Sequence, residues 1–235
     1  MTKETPVALI VGASRGIGLG LVREFAARGW RVVGTVRALA GATALRALAE
    51  KFGRKVVTIE VVDIADFAST EALRGSLEGQ IFDVVVVNAG VSGPTDKNPR
   101  NVSREEFCNL FVTNSLAPVR LGELLVKNVR PRTGVIGLMT SQLGSVEGAS
   151  GGGMELYRAS KAALNSFTRS FAARHRDEGL CVLSLHPGWV RTDMGGPNAA
   201  IDVETSTRGL FDVIERARGD RRDGFFDYKG DTLPW

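Results

Sequence analysis

Short, nearly continuous apolar runs alternate along the chain with longer stretches in which apolar residues recur every three or four positions. The runs VALIV (7–11), RVVGTV (31–36), VVTIEVV (56–62), FDVVVV (82–87), GVIGLMT (134–140) and CVLSLH (181–186) predict strands, and GFFDY (224–228) a last one. They are rich in β-branched residues and lack a polar face, as strands of a parallel sheet covered on both sides do. The segments 16–28, 41–52, 66–78, 103–129, 155–178 and 203–216 predict helices, the last with Asp202 as its cap. This alternation predicts an α/β fold: one doubly wound parallel sheet with right-handed crossovers and helices on both faces. No linker, repeat or low-complexity segment divides the chain, so one domain is expected over 1–235. Ligands of such sheets bind beyond the carboxyl ends of the strands. The residues just after each strand therefore carry the functional reading.

Composition narrows the class. Of 235 residues, 43% are hydrophobic and 24% charged, enough apolar material for a sizeable core. The net charge of +4 is dispersed, and the densest run, ERARGDRRD, alternates in sign, which argues against a nucleic-acid surface. Cys108 and Cys181 fit no metal or redox spacing and are expected to be small buried hydrophobes. His175, read as a solvated helix end, and His186 are the only histidines, too few for a His-rich metal site. No apolar run approaches the roughly 18 residues of a membrane helix. The opening MTKETPVALIVG reads as a strand rather than a signal peptide. A cytoplasmic protein without nucleic-acid or membrane partners is expected.

After the first strand comes VGASRGIGLG, with Gly12, Gly16 and Gly18. A strand, a glycine turn and a helix let backbone approach a pyrophosphate at the helix N-terminus. Two other readings of the stretch stand beside this one. It can be a tight turn that merely needs glycine. GASRG also matches the G-x-S-x-G elbow that would make Ser14 a nucleophile. The elbow lacks a preceding strand and loop for an oxyanion hole, and no late histidine is well placed for a triad. The second strand ends in Val36 and Arg37 rather than the acid that NAD-specific sites place there. Arg15 and Arg37 together suit a 2′-phosphate, since guanidinium forms forked, charge-assisted bonds to phosphate; the alternative is two solvated surface arginines. Asp63, ending the third strand, is a candidate for the adenine edge or for a turn or helix cap.

Tyr157 and Lys161 lie four apart at the start of a helical pattern and so share a face. A phenol ionises near pH 10, and a nearby ammonium favours the phenolate. Lowering it to about 7 takes about 4 kcal/mol, within reach of a partly buried cation, and would make a tuned general acid/base.

VGASRGIG, VNAG (87–90), YRASK (157–161) and HPGWVRTDM (186–194) occur in this order, each at a strand end or helix start. Together they resemble the motifs of the short-chain dehydrogenase/reductase family along the whole chain. PGWVRTDMGGPNA and the closing GFFDYKGDTLPW are similar to the C-factor and Sniffer-type carbonyl reductases of that family. The resemblance implies that Tyr157 is the catalytic acid/base, Lys161 its tuner and a ribose ligand, Ser141 the group that polarises the substrate oxygen, and Asn114 the fourth member. Ser145 is the competing serine. It also implies an NADPH/NADP+ site lined by Gly12, Ser14, Arg15, Gly16, Ile17, Gly18, Arg37, Asp63, Asn88, Ala89, Gly90, Pro187, Gly188, Val190 and Thr192, besides Tyr157 and Lys161. Val11 and Val87 depart from the Thr and Asn usual there, and GASGGG lengthens the stretch between Ser141 and Tyr157. Pro118, four residues after Asn114, has no N–H to give the Asn114 carbonyl, so a kink is expected there. In related enzymes that carbonyl holds a water linked to the active-site lysine. The implied activity is reduction of a small-molecule carbonyl, or the reverse oxidation, by a homo-oligomer. An NADP(H)-binding sensor with little turnover is the alternative.

Overall fold

The computed structural model describes residues 4–149, 151–220 and 222–235. Seven parallel strands form one sheet: β1 (Val7–Val11), β2 (Arg31–Val36), β3 (Val57–Val61), β4 (Val84–Val87), β5 (Val135–Met139), β6 (Cys181–His186) and β7 (Gly224–Asp227). Their order is β3-β2-β1-β4-β5-β6-β7. The order reverses between β1 and β4, and Val11 stands beside Val87 at that point. All carboxyl ends therefore open on one edge, with the crevice at the reversal.

The helices are α1 (Gly16–Ala27), α2 (Thr43–Phe52), α3 (Phe67–Ser76), α4 (Arg104–Phe111), α5 (Ala117–Leu125), α6 (Glu155–Arg174) and α7 (Val203–Asp220). One face of the sheet packs on Phe25 of α1, Leu45 of α2 and Ile214 of α7; the other packs on Leu73 of α3, Leu121 of α5 and Phe171 of α6. Each such side chain, fully buried, contributes about 1.5–3 kcal/mol of transfer free energy. Phe211, Phe225 and Phe226 are core, as the late apolar positions suggest. Asp202 accepts the Thr205 amide at 2.7 Å and caps α7.

Three expectations are corrected. The pattern over 103–129 is helical without a break from Arg104 to Asn128, but it is not one regular α-helix. A π turn over Val112–Leu116 separates α4 from α5, and the Ala117 amide reaches back five residues to the Val112 carbonyl. Pro118, in the first turn of α5, cannot continue the ordinary ladder, and the extra residue per turn absorbs that break. Cys108 is exposed rather than buried, on the outer face of α4. His175 is not solvated: its ring bridges Glu123 at 2.9 Å and Glu178 at 3.0 Å.

Away from the crevice, at the amino ends of the strands, Asp83 is almost fully buried. It accepts the Val7 amide at 2.9 Å, Arg130 Nε at 2.7 Å and an Arg218 nitrogen at 3.3 Å. One carboxylate thus ties β1, the approach to β5 and α7. Asp83→Asn should lower unfolding free energy by about 2–3 kcal/mol, the scale of charge-assisted bonds lost from a buried group, and leave nucleotide affinity unchanged. Urea unfolding with unchanged midpoint would contradict the clamp.

Candidate active site

The glycine turn is built by close backbone packing. Gly12 has φ +86°, which an L side chain rarely adopts, and a Cβ there would lie 2.9 Å from Ala89. A Cβ on Gly18 would lie 2.0 Å from the Gly12 carbonyl. That carbonyl accepts Asn88 Nδ2 at 3.0 Å, so Asn88 holds the turn from β4. Gly16 has φ +55° and approaches Thr192, to which its Cβ would lie 3.4 Å away. Ile17 packs inward against the core. No side chain caps the N-terminus of α1, and no acidic residue stands in its first turn. That end is open to an anion, and Gly12, Gly16 and Gly18 leave the backbone of the turn beside it bare at three positions. Ser14, beside the open helix end, is half-buried.

Arg37 is exposed just beyond β2. Arg15 is also exposed, and its guanidinium pairs with Asp193 at 2.8 Å, in the loop after β6. The two arginines thus stand on separate loops, just beyond β1 and β2. Asp63 serves a turn, its carboxylate accepting the Ala65 amide at 3.0 Å. Beyond β6, Ser206 donates to the Pro187 carbonyl at 2.6 Å, Gly188 has φ +84°, and Val190 pairs with Ile201. Thr192 accepts the Gly195 amide at 3.1 Å.

The second half of the site lies across the crevice. Asn114, fully buried in the π turn, grips Val91 by both backbone groups, at 2.9 Å and 2.8 Å, and donates to Ser160 at 3.1 Å. Ser160 in turn donates to the Tyr157 carbonyl at 2.7 Å. Asn114 therefore fixes the loop after β4 to the first turn of α6. Gly90 closes this corner: a Cβ there would lie 3.2 Å from Asn114 Oδ1 and 3.4 Å from Lys161 Nζ.

Ser141 follows β5 with its hydroxyl accepting the Leu143 amide at 3.1 Å, and it lies near enough to the Tyr157 phenol to oppose the rise that burial causes there. Ser145, the competing serine, is occupied by the Gly148 amide at 2.8 Å. The approach to α6 turns through Gly153 and Met154, at φ +89° and +54°, so at least one glycine of the tract is needed conformationally. Ser150 lies outside the described residues.

At the tyrosine, burial outweighs the expected lowering. Lys161 Nζ donates to the Met139 carbonyl at 3.0 Å and stands 5.8 Å from the centre of the Tyr157 ring. Burial pushes Lys161 down from 10.5 to about 8. Burial also pushes the Tyr157 phenol above its ordinary value, against the opposing effect of Ser141. At neutral pH the tyrosine is a protonated phenol beside a still-charged lysine: a donor, not a phenolate.

The short chain dehydrogenase family model matches residues 6–201. The chain belongs to the short-chain dehydrogenase family. A short-chain dehydrogenase/reductase from Burkholderia multivorans, solved with bound NADP, is 45% identical and superposes with a TM-score of 0.94 over 99% of this chain and 100% of that one. The carbonyl reductase Sniffer of Drosophila melanogaster is 31% identical, with a TM-score of 0.88 over 99% and 100%. The C-signal of Myxococcus xanthus is 38% identical over 154 residues, 65% of this chain and 92% of that protein. This short-chain dehydrogenase is thus an oxidoreductase with an NADP-type cofactor, for which the open helix end and glycine cradle are a fitting site. Among its described residues no helix is long and apolar enough to cross a membrane.

Sequence reasoning missed Ser160, which relays Asn114 to Tyr157, and Asp193, the partner of Arg15. Both depend on distant neighbours and carry no local motif.

The buried lysine has a measurable consequence. Its pKa in the fold lies below that of the unfolded chain, so the unfolded chain holds the proton more tightly. The penalty is felt in full below pH 8 and fades as pH rises from 8 to 10.5, worth about 3 kcal/mol. The stability difference between wild type and Lys161→Met should move toward wild type by that amount over this window. A difference that stays flat across it would contradict the burial of a charged Lys161.

Proposed function

We propose that the protein is an NADPH-dependent reductase of small-molecule aldehydes or ketones, able to run the reverse oxidation, with Ser141, Tyr157, Lys161 and Asn114 as its working residues. The observation that carries this reading is the convergence beyond β5 of Ser141, Tyr157 and the buried Lys161, whose Nζ lies 5.8 Å from the centre of the Tyr157 ring, with burial keeping the phenol protonated. The glycine turn and the first turn of α1 would hold the pyrophosphate, Arg37 and Arg15 the 2′-phosphate, and Lys161 a ribose hydroxyl. Asn88, Ala89, Gly90, Pro187, Gly188, Val190 and Thr192 would line the nicotinamide half. When bound, the cofactor supplies a hydride to the carbonyl carbon. Ser141 and Tyr157 both donate hydrogen bonds to the carbonyl oxygen, where negative charge develops. Tyr157 then passes its proton to that oxygen, giving the alcohol. The phenolate left behind is stabilised by the Lys161 ammonium and regains a proton from solvent. Pro118 offers no N–H to the Asn114 carbonyl, which supports a water there as part of that return path.

Exposed Phe107, Leu116 and Phe167, on neighbouring elements, support assembly of copies of the chain through that face. The place of action we propose is the cytoplasm.

Tyr157→Phe tests the reading. Turnover should fall by about a hundredfold or more, the scale of a lost general acid, while NADPH binds as in wild type. Comparable turnover in the two proteins would overturn the assigned role. A second test addresses the phosphate. Arg37→Ala should weaken NADPH by about tenfold or more and NADH little, since one charged hydrogen bond is lost. Wild type binding NADH as tightly as NADPH would contradict the arginine reading.

A further inference from the structure

The residue before the glycine turn, Val11, has no side-chain hydroxyl, yet the turn is firmly held on its β2 side. Thr35, fully buried near the end of β2, accepts the Gly12 amide on its hydroxyl oxygen at 3.1 Å. Its main-chain carbonyl accepts the next amide, Ala13, at 2.7 Å. The first two residues of the turn thus hang from one threonine of the neighbouring strand. On the other side Gly12 is pressed against Ala89, and its carbonyl is held by Asn88, so the turn has no room to relax toward β4. A buried amide left without an acceptor is costly, and Gly12, at positive φ, can find no other without moving the turn.

We propose that Thr35 is a positioning residue for the cofactor: its hydroxyl fixes the Gly12 amide and with it the cradle for the pyrophosphate. This rests on the reading of the glycine turn as the pyrophosphate site. Thr35 touches no cofactor atom in this scheme. It acts through the turn, on the part of the dinucleotide that NADPH and NADH share. Its loss should therefore weaken both alike, unlike loss of Arg37.

Thr35→Val keeps the branched shape and removes the hydroxyl; Thr35→Ser keeps the hydroxyl and removes the methyl. Two quantities are read: hydrogen exchange of the Gly12 amide without added nucleotide, and the Kd of NADPH and of NADH. Thr35→Val should speed Gly12 exchange and raise both Kd values by about tenfold, with their ratio unchanged. Thr35→Ser should return both readouts close to wild type. Thr35→Cys provides a second removal of the oxygen should the valine variant not fold. Wild-type exchange and affinity in Thr35→Val would overturn the proposal, as would a Thr35→Ser as impaired as the valine variant, which would assign the effect to packing. Wild type that binds neither nucleotide would overturn the reading of the turn itself; a change in Gly12 exchange would then support the Thr35 bond alone.

Discussion

The structure turns on the place where three backbones meet without side chains between them. Gly12, Gly18 and Ala89 bring β1, α1 and β4 so close that a Cβ on Gly18 would sit 2.0 Å from the Gly12 carbonyl. Only this contact lets α1 point its uncapped N-terminus at the crevice where strand order reverses. The threonine below and the asparagine beside it hold the turn by hydrogen bonds, so the shape of the proposed cradle is set by the fold itself.

The other half of the candidate site has a similar logic with polar groups. Asn114 grips both backbone groups of Val91 and, through Ser160, the first turn of α6. A π turn places that asparagine there, at the expense of a regular helix. Local departures of this kind gather at sites where a side chain must be aimed, and the sheet around them supplies the stability. The two halves face each other across Gly90, small enough to let Lys161 approach.

Most of this architecture was legible. The strands announce themselves by β-branched apolar runs, and three of the four motifs fall at their ends, the fourth at the start of α6, because chemistry in such a sheet collects there. Legibility failed where neighbours in space decide. The apolar period of 103–129 runs unbroken through Pro118, so periodicity alone cannot show that the ladder changes there. Thr35 looks like any β-branched strand residue until Gly12 is seen above it. Cys108 follows an apolar Phe107, yet stands exposed on a short helix. The spacing of Tyr157 and Lys161 shows a shared face but neither that the ammonium donates to the Met139 carbonyl nor that burial keeps Tyr157 a phenol.

A protonated phenol beside a serine hydroxyl is set to give a proton to an oxygen that is gaining charge, which is the demand of carbonyl reduction. A protein that only sensed the nucleotide would have no use for the pair. The most direct measurement is NADPH oxidation by the wild-type protein across a panel of aldehydes, ketones, quinones and ketoacyl thioesters, with the product assayed. The account predicts loss of reduced nicotinamide matched one to one by alcohol from at least one class. Tight NADPH binding with no alcohol formed from any of them would contradict it.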